Sequence, residues 1–235
     1  MALAAGKQDG NSLAVNGTPA SARVRVRRGA HKGRYNDAAV AAALARGLVA
    51  HIAFVDGDQP FCIPMLYAHI GNRLYVHGSR ASRVMRCLGA GIPACVAVTI
   101  VDGLVLARSA FEHSANYSSV IALGGFVRVD DEDEMLGVLE AFTNKLLPGR
   151  WAEVRGPTKK ELKATAIASL DLDEASVKLR IGPPDDDHSS DAALPVWAGV
   201  VPMETHYGEP VASPGLSPGI VLSPSVRGLK GRSRG

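Results

Sequence analysis

The residues with the clearest chemical potential lie between Arg73 and Met85, in the segment RLYVHGSRASRVM. A strand is predicted to end at His77, where a small turn precedes a helix. Two hydroxyls and two guanidiniums fall at the start of that helix: Ser79, Ser82, Arg80 and Arg83. Because a helix start also offers unpaired N–H groups and the positive end of the helix dipole, this cluster suits a phosphate monoester. The alternative is that Ser79 only caps the helix while the arginines are solvated.

His77 is the candidate catalytic residue of the same segment. Period-two alternation places it on one strand face with Arg73 and Tyr75, opposite Leu74 and Val76. In that position it can act as a hydrogen-bond donor or general acid near the phosphate end of a site. The alternative is a histidine at a strand end whose ring is already hydrogen-bonded.

Other reactive residues carry weaker signals. His69 and His77 could share a metal or haem iron, but the sequence offers no nearby third ligand, so no metal site is predicted. His113 lies beside Ser114 without a G-x-S-x-G element, which argues against a Ser/His hydrolase. Cys62 is interpreted as a small buried hydrophobic residue.

The elements that position these residues are mostly strands. Turn signals at Asp56-Gly57-Asp58 and Gly71-Asn72 predict a three-stranded meander. The predicted strands are Leu48–Val55, Phe61–His69, Arg73–His77, Ala94–Ala107 (interrupted at Asp102-Gly103), Tyr117–Val129, Ile167–Leu172 and Ser176–Ile181. The predicted helices are Ala38–Arg46, Ser79–Leu88, Asp130–Leu147 and Thr158–Ala166. The third helix carries an apolar stripe of Leu136, Leu139, Phe142 and Leu146.

Few of these strands alternate with helices, so the predicted fold class is mainly β with peripheral helices, an antiparallel barrel. No dinucleotide-binding or P-loop motif follows a strand.

The chain has 235 residues, of which 46% are apolar and 21% charged. That length and composition predict one folded domain, and no apolar run is long enough to span a membrane.

The net charge of +3 is unevenly distributed. Residues 1–34 contain seven basic residues and one acid, and residues 223–235 contain four basic residues and no acid, so the body between them is acidic. We therefore predict a disordered basic extension at 1–34, a folded domain at 35–208 and a basic Pro/Gly/Ser-rich tail at 209–235. The acidic body argues against nucleic-acid binding by the fold, and three unpatterned cysteines indicate a reducing, cytoplasmic location.

The order of motifs resembles the pyridoxamine 5′-phosphate oxidase-like FMN-binding split barrels, in the flavin-nucleotide-binding branch related to nitroimidazole resistance proteins. The resemblance covers about residues 34–210. It is carried by Arg34-Tyr-Asn36, Pro64-Met-Leu-Tyr67, Leu74-Tyr-Val-His-Gly-Ser79, Ser82-Arg83, Ser119-Val-Ile-Ala-Leu-Gly124, Leu147-Pro-Gly-Arg-Trp151, Ser176-Val-Lys-Leu-Arg-Ile-Gly-Pro-Pro184, Val196-Trp-Ala-Gly-Val-Val-Pro202 and Tyr207-Gly208.

The resemblance implies a six-stranded antiparallel Greek-key split barrel that forms a homodimer, with FMN in two clefts shared by the subunits. It implies that Ser82-Arg83, preceded by Gly78 and Ser79, holds the phosphate, although Val84 replaces a lysine common in the oxidases. The strand formed by Pro64, Met65, Leu66 and Tyr67 would run beside the isoalloxazine ring. His77 would lie near the flavin, and Trp197 would cover a cleft.

The resulting functional expectation is an FMN-binding oxidoreductase that reduces a small, for example nitroaromatic, substrate. One alternative is a haem-binding or haem-handling protein on the same fold, with His69 or His77 as the axial ligand. Another is a non-catalytic flavin-binding protein, or a nucleic-acid-associated module that uses the basic ends. Vitamin B6 oxidase activity is not expected, because Arg180-Ile-Gly lacks the histidine of the oxidases' Arg-x-His pair.

Overall fold

The computed structural model describes residues 17–186, 189–229 and 231–234. The strands in this part of the chain are β1 (Gly33–Arg34), β2 (Val49–Asp56), β3 (Gln59–Leu66), β4 (Ala68–Ile70), β5 (Arg73–Ser79), β6 (Pro93–Leu106), β7 (Ser114–Gly125), β8 (Val127–Val129), β9 (Thr165–Asp171), β10 (Ala175–Arg180), β11 (Gly199–Pro202), β12 (Thr205–His206) and β13 (Ser233–Arg234). The helices are α1 (Asp37–Arg46), α2 (Arg83–Gly89), α3 (Glu132–Leu146), α4 (Lys159–Ala164) and α5 (Pro224–Arg227). None of the described helices has the length and hydropathy to cross a membrane.

Two antiparallel sheets carry the fold. The larger has the strand order β1-β10-β7-β6-β2-β3, with β11 also paired to β6, and the smaller has the order β4-β5-β9-β8. The chain passes directly from β3 into β4 through Tyr67, so one continuous run of residues serves both sheets. The predicted mainly β, antiparallel architecture with peripheral helices is confirmed.

The predicted meander corresponds to β2 through β5, with one additional break at Tyr67. The predicted interruption at Asp102-Gly103 is instead an irregularity inside the long strand β6, where the register with β7 shifts between Val101 and Gly103. A side chain at Gly103 would approach the carbonyl oxygen of Val201 to 2.9 Å. Glycine therefore lets β11 pair closely with β6 at this bulge.

The main apolar core lies between the larger sheet, one face of the smaller sheet, α1 and α2. A second cluster lies between α3 and the other face of the smaller sheet. The predicted stripe of α3 is only partly correct, because the most buried residues of this helix are Met135, Val138 and Phe142. Leu146 is 42% exposed. The helix therefore packs through a stripe about one residue away from the predicted one and leaves other leucines available to a neighbouring cleft.

Ordered structure extends past the predicted domain limits of 35 and 208. Val24 lies inside the predicted N-terminal extension and is only 3% exposed. Strand β1, which belongs to the same extension, pairs with β10. The valines at 24 and 26 give this basic segment an apolar side, and the Val26 N–H donates to the Tyr35 hydroxyl at 2.9 Å. At the other end, the Glu153 carboxylate accepts from the Ser225 N–H at 2.8 Å. Residues 1–16 of the predicted extension lie outside the described residues.

Candidate functional site

A cleft of about 480 Å³ between the end of β3, α3 and the segment that leads into α4 contains two of the predicted site residues, Leu66 and His77. Strand β5 presents His77 to this cleft. Most of the remaining wall is apolar: Leu66, Leu139, Phe142, Leu146, Trp151 and Val154. We refer to it as the His77 cleft.

The His77 imidazole is packed edge-on against Phe142, with ring centroids 4.3 Å apart and an interplanar angle of 80°. Its Nδ1 atom is buried and has no hydrogen-bond partner among the described residues. Burial lowers the pKa of His77 below 6.5, so the ring is neutral at neutral pH. The alternative interpretation of a hydrogen-bonded histidine is therefore wrong for this nitrogen.

The polar rim of the cleft is internally neutralised. Arg155 forms a bidentate pair with Glu161, through Nη1–Oε2 and Nη2–Oε1 distances of 2.8 and 2.7 Å. Glu161 also accepts from the Thr158 N–H at 2.7 Å in the capping box of α4. The Arg155 guanidinium and these donors hold the pKa of Glu161 well below its usual range. The rim therefore adds shape and hydrogen bonding, but little net charge, to the cleft.

The predicted phosphate corner begins at Gly78, the residue that follows His77 on the same strand. A Cβ at Gly78 would lie 3.0 Å from Met85 Cγ, so α2 packs tightly onto the end of β5. Ser82 is the N-cap of α2, and its hydroxyl donates to the Ser79 carbonyl at 2.8 Å. The Ser79 hydroxyl accepts from the Ala81 N–H at 3.3 Å. The Ser82 O–H is thus used within the turn, whereas the Ser79 hydroxyl only accepts there, and the capping residue is Ser82 rather than Ser79.

Arg83 is the first residue of α2, and its guanidinium carbon lies 4.6 Å from the centre of the Phe61 ring. Its Nε is 3.6 Å from an Asp56 carboxylate oxygen, and its side chain is 55% exposed. In the same turn, Arg80 Nε donates to the Thr165 carbonyl at 3.1 Å. An exposed ion pair of this length is weak, so Arg83 remains available to a phosphate.

The four residues predicted to border the flavin ring occupy different environments. Met65 packs against the core, whereas Pro64 and Leu66 are exposed and Leu66 reaches the His77 cleft. Tyr67 is 1% exposed and donates its hydroxyl to the Leu44 carbonyl at 2.7 Å. Its side chain therefore belongs to the core and faces no cleft. Within the described chain β3 pairs only with β2, which leaves its other backbone edge for a ligand.

Trp197 and His69 are not brought to the His77 cleft. Trp197 is 65% exposed and packs beside Gly199, where an added Cβ would lie 2.9 Å from its ring. His69 pairs with Leu74, three residues before His77, so the two histidines lie on opposite faces of the smaller sheet. Burial and the nearby Lys145 ammonium lower the pKa of His69. In the described part of the chain, no cluster of three metal-ligating side chains is found.

No sequence pattern predicted that residues 147–157 form one wall of the His77 cleft. Trp151 and Val154 line the cleft, yet the 3-10 helix Trp151–Glu153 and its flanking loops show no periodic pattern. The sequence signal that could have predicted this cleft is that α3 carries more leucines than its packed face needs. Leu139 and Leu146 extend its apolar surface beyond what one packed stripe needs, and they line the cleft.

Comparisons with known proteins agree with this architecture. The family model described as "Pyridoxamine 5'-phosphate oxidase" matches residues 36–179. The flavocytochrome Anf3 from Azotobacter vinelandii is 36% identical, with a TM-score of 0.84 over 90% of this chain and 98% of that one. The FAD and heme binding protein from Mycobacterium smegmatis is 40% identical, with a TM-score of 0.80 over 85% of this chain and 98% of that one.

A more distant structure carries the fold alone. A protein assigned to 5-nitroimidazole antibiotic resistance in Bacteroides thetaiotaomicron is 12% identical, with a TM-score of 0.50 over 60% of this chain and 82% of that one. No curated protein matched the sequence. Together the matches confirm the predicted split-barrel fold and the predicted family resemblance.

Proposed function

The chain belongs to the pyridoxamine 5′-phosphate oxidase family, and we propose that it is a flavin-binding redox protein whose His77 cleft also holds haem. The observation that carries the proposal is the buried, unpartnered imidazole of His77 in an apolar cleft. The names of the two relatives at 36% and 40% identity each combine a flavin with a haem, which supports assigning both groups to this fold.

The residues of the cleft fit a haem. A buried polar nitrogen without a partner costs on the order of 1–3 kcal/mol, so the fold keeps the His77 ring at this cleft at a cost to stability. The lowered pKa of His77 keeps the imidazole unprotonated, as a metal ligand must be. Phe142 fixes the ring plane, and the leucines and Trp151 exclude water from the bound group. Haem iron supplies one-electron chemistry when it is bound.

For the flavin we propose the free edge of β3 together with the start of α2. Backbone groups near Pro64 and Leu66 would contact the ring system, and the phosphate would lie at the Ser79–Arg83 turn. Because the Ser82 O–H is donated to the Ser79 carbonyl, the phosphate donors are the Ser79 O–H, the free N–H groups at the start of α2 and the Arg83 side chain. FMN is the expected form, and FAD is the alternative that the name of the Mycobacterium smegmatis protein suggests.

We further propose a cytoplasmic homodimer. Strand β11 and its surroundings expose Leu104, Val201 and Trp197 at 46%, 42% and 65%, an apolar strip that a second copy could cover. A second copy would also allow Trp197 to close a cleft of its partner. The three cysteines of the chain are free, as a reducing compartment requires.

The experiment is to purify the full chain, record its absorbance spectrum and identify the released cofactors by mass. We expect a flavin and a haem, each near one per chain. Protein that is colourless and does not bind added FMN, FAD or haem contradicts the proposal. Bound flavin without haem would leave His77 as a proton donor near the flavin and would remove the haem assignment.

The oxidoreductase role has its own test. The flavin is reduced anaerobically and a small nitroaromatic compound is added. We expect the compound to reoxidise the flavin. A reduced flavin that reacts with no small acceptor other than dioxygen would support a non-catalytic flavin-binding protein instead.

A further inference from the structure

A second cavity, of about 490 Å³, opens at the β1–β10 edge of the larger sheet. This edge is opposite β3, whose end borders the His77 cleft. Four basic or titratable side chains line the cavity: His31, Lys32, Arg34 and Arg180. Asp185 is the one acidic residue among the described lining residues. We refer to it as the Arg34–Arg180 cavity.

Arg180 is a buried cation held mainly by neutral groups. It is 6% exposed, and its guanidinium donates to Asn116 Oδ1 at 2.8 Å and to the Pro183 carbonyl at 3.1 Å. The Asp185 carboxylate is 3.8 Å away, and that side chain is 76% exposed. Because a guanidinium does not lose its proton in proteins, this buried charge is incompletely compensated and favours an anion nearby.

Arg34 supplies a second guanidinium whose charge is not paired with a carboxylate among the described residues. Its Nη1 donates to the carbonyls of His31 and Gly33 at 2.8 and 2.9 Å. Its Nε is buried and has no hydrogen-bond partner in the described chain. No carboxylate among the described residues lies within ion-pair distance of Arg34, so its charge has no counter-ion in this part of the chain.

The surroundings increase the positive potential. The adjacent groove along β7 and β10 is lined by Arg25, Arg27, Arg28 and Lys178, and its described lining contains no acid. Glu174, the nearest acid in sequence to β10, is paired with Arg23. Clustered charges of one sign raise the local concentration of oppositely charged ligands.

We infer that the Arg34–Arg180 cavity binds the oxyanion group of a small molecule, a phosphate monoester or a carboxylate. The cationic side chains of Lys32, Arg34 and Arg180 that line the cavity favour such a group through their charge and through charge-assisted hydrogen bonds. Leu179, Ile181 and Pro183 form an apolar wall that suits a small apolar body attached to the anion. The site goes beyond the proposed function, because neither the flavin nor haem is assigned to this edge of the sheet.

Calorimetric titration of the purified full-length chain with phenyl phosphate and, separately, with benzoate tests the inference. We expect saturable binding of at least one probe, and the tighter probe identifies the anion. Arg34→Gln should weaken binding about tenfold, the loss expected for one hydrogen bond to a charged group. Arg128→Gln is the matched control, because it removes one exposed arginine outside the cavity and should leave binding unchanged.

A second variant separates charge from geometry. Arg180→Lys retains the cation but loses the planar fork, so this variant should bind the probe more weakly than the wild type. The melting temperature of Arg34→Gln should stay close to that of the wild type, so that its weaker binding does not reflect unfolding. Failure of both probes to bind, or equal binding by Arg34→Gln and the wild type, overturns the inference. Displacement of the bound probe by added FMN or FAD also overturns it, because the cavity would then be part of the flavin site.

Discussion

The His77 cleft and the Arg34–Arg180 cavity have nearly the same volume, about 480 and 490 Å³, but opposite chemistry. The cleft is apolar, and its single unpartnered group is a neutral imidazole. The cavity contains permanent cations, and its unpartnered group is a guanidinium N–H. The charge of the lining residues therefore distinguishes the two sites better than their size does, because the ligand must complement that charge.

The two sites are also built differently. Helix α3 and the segment after it cover the smaller sheet to form the cleft, so apolar packing holds it together. The cavity is formed by strand ends and by the loop after β10. Asp186 fixes that loop, because its fully buried carboxylate accepts from the N–H and Nη1 of Arg108 at 2.6 and 2.9 Å.

The largest effect that distinguishes the two sites is expected from Asp186→Asn. Removing one member of a buried ion pair typically lowers the free energy of unfolding by about 3 kcal/mol. Anion binding at the Arg34–Arg180 cavity should weaken, while cofactor retention in the His77 cleft should not. Urea unfolding gives the free energy, and the calorimetric titration gives the binding.

Asp130→Asn is the control for that substitution. Asp130 pairs with Arg128 at 2.7 Å, but both side chains are more than half exposed, so the loss should stay under about 1 kcal/mol. Equal destabilisation by the two substitutions would contradict the anchoring role of Asp186.

An intermediate effect is expected from Phe142→Leu, which changes the wall of the His77 cleft. The smaller side chain loses the edge contact with His77 and should lower the free energy of unfolding by about 1.5 kcal/mol. Because water then reaches the imidazole, the pKa of His77 should rise toward 6.5. NMR titration of the histidines measures this shift, and the pKa of His69, on the opposite face of the sheet, should not move.

The smallest effect is the pH dependence of stability. Both His77 and His69 have a lowered pKa in the folded protein, so the unfolded chain binds protons first as the pH falls through 6.5. The free energy of unfolding should therefore decrease below pH 6.5 and level off below the folded pKa values. His77→Phe should reduce this slope, and a slope identical to that of the wild type would contradict burial of the neutral ring.

Most of the fold and part of the site could be predicted from the sequence. Turn residues and alternation located the meander and placed His77 at a strand end before a helix, because both are local signals. The burial of Tyr67, the exposure of Trp197 and the separation of His69 from His77 depend on sheet register and on the break between β3 and β4. Those are tertiary features that no local pattern contains.

The Arg34–Arg180 cavity was missed for a similar reason. Its two arginines are 146 positions apart in the sequence and line one cavity only because β1 pairs with β10. By composition Arg34 falls in the predicted basic extension, and the family resemblance places Arg180 in an incomplete Arg-x-His pair. Only the folded structure shows that both side chains line the same cavity.

The most direct test of the central claim is a haem titration of the purified chain after its own cofactors have been removed. The wild type and His69→Ala should both develop a Soret band with saturable, one-to-one binding, whereas His77→Ala should not. Circular dichroism should show all three proteins folded. Haem binding by folded His77→Ala with the same affinity and spectrum as the wild type would contradict the account.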